Sequence, residues 1–194
     1  MSERRFSRSD WLTIPNAVTV ARMLLLVPIA YLLVVDQHPV LTAVLLTIFG
    51  MTDWVDGFIA RRFNQVSRVG EILDPIADRV GVAVVAVVLV AADYLPDWIA
   101  YSIVLTDLTL ATIYLLFRAR HRPPVSRLGK ARTAVLMAGL PLTVFGRIPG
   151  LEIGATIGVA FASLGAVLHV ITGVTYAWAI QRESRSAIAN EVST

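Results

Sequence analysis

The sequence contains no cysteine. That excludes a disulfide framework, a thiolate nucleophile and a cysteine-based zinc site. Charge is scarce as well. Asp, Glu, Lys and Arg make up 16 % of the 194 residues, where a soluble domain carries about a quarter. Lysine occurs once, at Lys130, so every other basic side chain is arginine. Internal repeats are missing, and so is any polar stretch that would separate two domains. A soluble globular enzyme is thereby ruled out. A disordered chain is ruled out too, because 56 % of the residues are apolar and little charge opposes collapse. Mean hydropathy is +0.70, which points to a bilayer.

What is present is a series of six apolar stretches, each near the ~20 residues a membrane helix needs. They cover about 14–35, 39–61, 72–95, 97–117, 130–147 and 151–180. The last is long enough to tilt or to protrude. Asp36-Gln37-His38-Pro39, Leu95-Pro96-Asp97 and Arg147-Ile148-Pro149-Gly150 make short turns on one side. The links on the other side are longer and basic. Fourteen basic residues fall there: Arg4, Arg5, Arg8, Arg61, Arg62, Arg68, Arg118, Arg120, Arg122, Arg127, Lys130, Arg132, Arg182 and Arg185. Only Arg147 lies opposite. The positive-inside rule then puts both termini in the cytoplasm. The first stretch is too long for a cleaved signal peptide and lacks a small-residue cleavage site. The expected fold is all-α: an integral bundle of six transmembrane helices in the cell membrane. It forms one domain over 1–185, followed by a flexible tail over 186–194. Trp11, Trp54, Trp98 and Trp178 fall near the interfaces and suit an aromatic belt. The lipid bilayer is the expected surroundings, and no nucleic-acid partner is expected.

Four aspartates interrupt this apolar pattern: Asp53 and Asp56 late in the second stretch, Asp74 and Asp78 early in the third. Ionisable groups inside spans are costly and point to function. Asp53, Asp56, Gly57 and Ala60 fall within about a 100° arc of one helix face. Asp74 and Asp78 are one turn apart and share a face. The two stretches are neighbours, so the faces can meet as a cluster of four carboxylates in the cytosolic leaflet. Such a cluster is tolerated only if some members are protonated or cations sit among them. Carboxylate oxygens suit Mg²⁺, Mn²⁺ or Ca²⁺, and four suffice for two ions. Paired metals are a usual device for displacement at phosphorus. Asp74-Pro75 has the form of a helix N-cap followed by proline, so the third helix is expected to begin or kink there. Gly57 and Ala60 clear space for a flat base or a second helix, and Arg61 suits phosphate oxygens. Ordinary helix packing and interfacial anchoring would use the same residues.

Together the segment reads Asp53-Trp-Val-Asp56-Gly57-Phe-Ile-Ala60-Arg61, then eight residues, then Gly70-Glu-Ile-Leu-Asp74-Pro-Ile-Ala-Asp78. It resembles the signature of the CDP-alcohol phosphotransferases, D-x2-D-G-x2-A-R-x8-G-x3-D-x3-D, and matches all eight fixed positions. The resemblance implies transfer of a phosphatidyl group from CDP-diacylglycerol to an alcohol acceptor, with release of CMP. It implies two divalent metal ions, Mg²⁺ or Mn²⁺, on Asp53, Asp56 and Asp74, with Asp78 assisting or acting as catalytic base. Gly57, Ala60 and Arg61 would contact the CDP moiety, and Gly70 would let a loop fold close to it. A homodimer and an active site facing the cytoplasm are implied as well.

Two further segments resemble subfamily marks. Ile14-Pro15-Asn16-Ala-Val-Thr19-Val-Ala-Arg22 resembles the start of phosphatidylglycerophosphate and cardiolipin synthases. Arg22, inside a span, should face phosphate or a carboxylate, or else snorkel to the interface. Ser126-Arg-Leu-Gly129-Lys130-Ala-Arg132-Thr133 resembles a basic segment of phosphatidylglycerophosphate synthases, with Arg132 in place of Lys. Arg22, Arg79, Ser126, Lys130 and Arg132 thus form the expected set for acceptor and phosphate. The leading acceptor is glycerol-3-phosphate. The alternative is phosphatidylglycerol, as in CMP-forming cardiolipin synthases, and an inositol phosphate trails. Departures bear on that choice: Arg79 replaces a frequent Lys, and Thr106-Asp107 replaces an Arg-Glu pair. Asp107 could bind acceptor, pair with Arg79 or Arg22, or sit protonated. His169 is expected to be a hydrogen-bonded residue of the bundle. A cation-coupled transporter would use intramembrane aspartates too, but it calls for repeats and a midplane site that this sequence lacks.

Overall fold

A computed structural model describes residues 14–35, 38–63, 68–116 and 127–192, with side chains described over 16–35, 38–52, 70, 74–116 and 128–182. Six helices account for nearly all of it: α1 Ile14–Val35, α2 Pro39–Phe63, α3 Arg68–Ala91, α4 Asp97–Leu116, α5 Arg127–Phe145 and α6 Ile153–Val192. The apolar stretches and the helices coincide closely, because in an apolar setting a backbone must satisfy its own polar groups, and a helix does so within one segment.

Two boundaries differ from expectation. The third helix starts at Arg68, not at Asp74, and carries Pro75 inside it. Residues 68–73 are able to continue the helix, and proline removes one backbone hydrogen bond without ending it. Gly70 accordingly sits in the first turn of a helix rather than in a loop. The last helix runs to Val192, through most of the segment read as a tail. No glycine or proline follows Gly173 to stop it.

Among the described residues, three helical segments are long and apolar enough to cross a membrane: Asn16–Val35, Asp97–Leu116 and Ile153–Arg182, with Pro39–Thr52 a shorter apolar one. The remaining helices are diluted by charge at one end, which is where the signature lies.

The helices pack with α1 against α2 and α3, α2 against α5, α3 against α4, and α6 between α4 and α5. Ile29, Leu33, Leu46, Leu89, Ile103 and Leu140 are among the fully buried side chains of the shared core. Leu24, Val27, Tyr31 and Val34 of α1 point outward and are exposed. At the end remote from the signature, Arg147 stacks over Tyr94 at 4.6 Å and donates from Nη2 to the Asp93 carbonyl at 3.3 Å. This ties the α5–α6 turn to the α3–α4 turn, where Asp93 holds a left-handed φ of 59°. Beside it the Gly150 N–H donates to Glu152 Oε1 at 2.9 Å, which holds that carboxyl below its usual range.

Candidate active site

The polar interior begins on α1. Asn16, Thr19 and Arg22 recur every three residues, so they share one face, and all three are buried. That face meets α3. Thr19 Oγ1 donates to Asp74 Oδ1 at 2.8 Å, and Arg22 Nη1 lies 2.8 Å from Asp78 Oδ1. Of the options for an arginine inside a span, Arg22 therefore takes the carboxylate. Asp74 accepts a hydrogen bond, and Asp78 is ion-paired. Both carboxyls are thereby held on the face of α3 that meets α1.

The other half of the expected cluster lies on α2. Asp53, Asp56, Gly57, Ala60 and Arg61 sit in its last three turns, and their side chains lie outside the described residues, as does all of Ser126. Their level in the bundle follows from the backbone. A Cβ added to Gly81 would stand 2.7 Å from Phe49 Cζ, so α2 and α3 touch there. Phe49 lies 14 residues before the end of α2 and Gly81 13 residues after the start of α3, so the two helices run in opposite senses. Asp53 is four residues beyond Phe49, and Asp78 is three before Gly81. Both lie about one helical turn, ~5 Å, from the contact and on the same side of it. The described side chains alone hold no group of three His, Asp or Glu able to bind a metal; Asp74 and Asp78 are the two members among them. Gly70 is buried.

A second polar group lies beside Asp78 and draws on four helices. Arg79 of α3 is ion-paired through Nη1 with Asp107 Oδ1 of α4, one of the partnerships open to Asp107 from the sequence. His169 of α6 places Nε2 3.3 Å from the same oxygen. Its Nδ1 lies 2.9 Å from Arg132 Nη1 of α5. An arginine only donates, so Nδ1 must accept and the ring proton must sit on Nε2, facing Asp107. His169 is thus neutral, and it is the bundle residue the sequence led one to expect. Arg132 points inward, whereas Lys130, two residues earlier on α5, is exposed. The expected basic pair is therefore split between two faces of its helix.

Sequence reasoning named Thr19 only as part of a motif and gave it no role. The available signal was its spacing: three polar residues at steps of three in an apolar stretch mark one buried face.

The sequence pattern of the CDP-alcohol phosphatidyltransferases matches residues 12–178. The chain is similar to the CMP-forming cardiolipin synthase of Streptomyces coelicolor, at 33 % identity over 199 aligned positions covering 97 % of this chain and 92 % of that one. It is similar to the CDP-diacylglycerol–glycerol-3-phosphate 3-phosphatidyltransferase of Rickettsia typhi, at 29 % identity over 167 positions, 84 % of this chain and 94 % of the other. The enzyme of the same name from Salmonella choleraesuis is 33 % identical over 135 positions, 66 % of this chain and 74 % of its own.

Proposed function

Because the chain belongs to the CDP-alcohol phosphatidyltransferase family, we propose that the carboxylates on α2 and α3 are the centre where it moves a phosphatidyl group from CDP-diacylglycerol to an alcohol. The acceptor oxygen forms a new P–O bond as the bond to CMP breaks, and CMP leaves. The observation that carries this assignment is the pair Asp74 and Asp78 on one face of α3, each held in place by a side chain of α1.

Asp53, Asp56, Asp74 and Asp78 would hold two divalent ions, Mg²⁺ or Mn²⁺, which when bound neutralise the diphosphate. The fit rests on hard oxygen donors, two of them, Asp74 and Asp78, side by side on one face of α3. Asp78 takes the proton of the acceptor hydroxyl, and Arg22 fixes its carboxylate for that task. Gly57, Ala60, Arg61 and Gly70 serve the CDP moiety. Arg79, Arg132, Ser126 and Lys130 serve the acceptor. The acceptor is glycerol-3-phosphate or phosphatidylglycerol.

The bundle crosses the cell membrane six times in this reading, with both termini and the carboxylates toward the cytoplasm. Supporting it are the three long apolar helices, the exposed apolar face of α1 and the one-sided basic residues. The acyl chains of the donor then stay in lipid throughout.

The test is CMP release by purified protein from CDP-diacylglycerol with each acceptor, with Mg²⁺ or Mn²⁺ and with chelator. Release should require the ion. Asp78→Asn should lower turnover by about 10²–10⁴-fold, the span typical of a lost general base, while CDP-lipid binding persists. Full turnover in that variant would remove Asp78 from the role.

A further inference from the structure

The four-helix group Arg79–Asp107–His169–Arg132 adjoins Asp78, and its charges can be counted. Arg79 is matched by Asp107. His169 is neutral, since Arg132 donates to its Nδ1. Asp78 is matched by Arg22. One positive charge, that of Arg132, has no carboxylate paired with it among the described residues. Its Nε is buried without a hydrogen-bond partner there, and so is Asp107 Oδ2. Lys130 is exposed on another face of α5 and stands outside this interior group, at the approach to it.

We propose that Asp107 is a specificity-determining residue: by consuming the charge of Arg79 it leaves this four-helix group, among the described residues, with the single unmatched positive charge of Arg132, which selects an acceptor whose phosphate is a singly charged diester. Phosphatidylglycerol is such an acceptor. Glycerol-3-phosphate is a monoester and carries about −1.5 to −2 at neutral pH. Its second charge would have no further cation to meet among the described residues of this group and would face the Asp107 carboxylate, whose Oδ2 is buried. Specificity of this kind comes as much from repelling the wrong ligand as from holding the right one. His169 takes part by position. It stands between Arg132 and Asp107, accepts from one and points its proton at the other, and so keeps the two from neutralising each other directly. The adjoining packing is close: a Cβ on Gly173, one turn along α6, would lie 2.3 Å from Thr106 Cγ2 of α4.

This rests on the phosphatidyltransferase reading of the same site, and one assay separates the two. Purified full-length protein in mixed micelles is given CDP-diacylglycerol, Mn²⁺ and either phosphatidylglycerol or glycerol-3-phosphate, and kcat/KM is taken from CMP release. The wild type should prefer phosphatidylglycerol. Asp107→Asn should shift the ratio toward glycerol-3-phosphate by about tenfold or more, since an uncompensated like charge costs at least that. Asp107→Glu should restore the wild-type ratio. Arg132→Gln should raise the KM for phosphatidylglycerol far more than that for CDP-diacylglycerol. A wild type that prefers glycerol-3-phosphate overturns the proposal whether or not any variant folds. So does an active Asp107→Asn protein with an unchanged ratio. No CMP release with either acceptor overturns the phosphatidyltransferase reading and this proposal with it.

Discussion

Thr19 is fully buried and polar, and its hydroxyl is spent on Asp74 across 55 residues of sequence. A hydrogen bond to a charged group contributes about 1.5–3 kcal/mol. Thr19→Val keeps the shape and removes the donor. Its carboxylate partner then stands in an apolar setting with one acceptor unsatisfied. The expected result is a fall in CMP release of roughly tenfold or more, accompanied by a higher Mn²⁺ requirement, while Thr19→Ser retains most activity. Mn²⁺ titration followed by electron paramagnetic resonance, with no substrate present, separates a positioning role from a general loss of fold. Unchanged Mn²⁺ affinity in the Val variant would release Thr19 from that role. The sequence made the aspartates legible, because charges in apolar stretches stand out at once. It did not make their partners legible. Whether Arg22 meets a carboxylate, and whether Asp107 meets Arg79, depends on the rotation of α1 and α4 about their axes. That rotation is set by packing against helices far away in the chain.

At the scale of the helix, the most regular feature is the seam between α5 and α6. Going down α5, the contact points are Gly146, Thr143, Gly139, Leu136 and Arg132. Going up α6 they are Ala155, Gly158, Ala162, Gly165 and His169. Steps of three and four alternate on both sides, the spacing of a left-handed helix pair. A Cβ on Gly146 would stand 2.2 Å from the Ala155 nitrogen, and one on Gly158 2.4 Å from the Thr143 nitrogen. The obstacle in each case is backbone, which cannot turn aside as a side chain can. Small residues let helices approach this closely where no hydrophobic drive joins them. The same seam, continued by one step, delivers Arg132 to His169. Gly158→Leu should therefore lower stability by about 1–3 kcal/mol or more, read as a drop in Tm in detergent, and should reduce acceptor use as well. Gly150→Ala, in an open turn with nothing within 4 Å, should act only through its φ of 86° and leave acceptor use intact. Equal effects from the two would argue against the seam. The extents of the helices could be read from hydropathy to within a few residues. The start of α3 could not, since Asp74-Pro75 imitates a cap while Asp74 in fact accepts from α1.

The whole molecule is built with its polarity turned inward. Asn16, Thr19, Arg22, His169 and Thr172 are buried, while Leu24, Val27, Tyr31 and Val34 face out. In water that arrangement would lose both ways, exposing apolar area and desolvating polar groups. In lipid both terms reverse. The outward side chains match the solvent, and the inward ones find partners they could not find in hydrocarbon. The proposed direction of the bundle rests on the basic residues, which the sequence pattern assigns nearly all to the side of the signature. The absence of cysteine makes this direction measurable, because any cysteine introduced is the only thiol in the chain. Pro149→Cys lies in the exposed α5–α6 turn, and Ser186→Cys lies near the far end of α6. In intact cells a membrane-impermeant maleimide should label Cys at 149 and spare Cys at 186; opening the cells should make the second reactive. The reverse pattern would put the carboxylates on the outer face, away from a cytosolic supply of nucleotide-activated lipid. Labelling of both in intact cells would put them on the same side, with an even number of crossings between them. α6 alone joins the two positions, so that outcome would deny that α6 spans at all, and the count of six would fall with it.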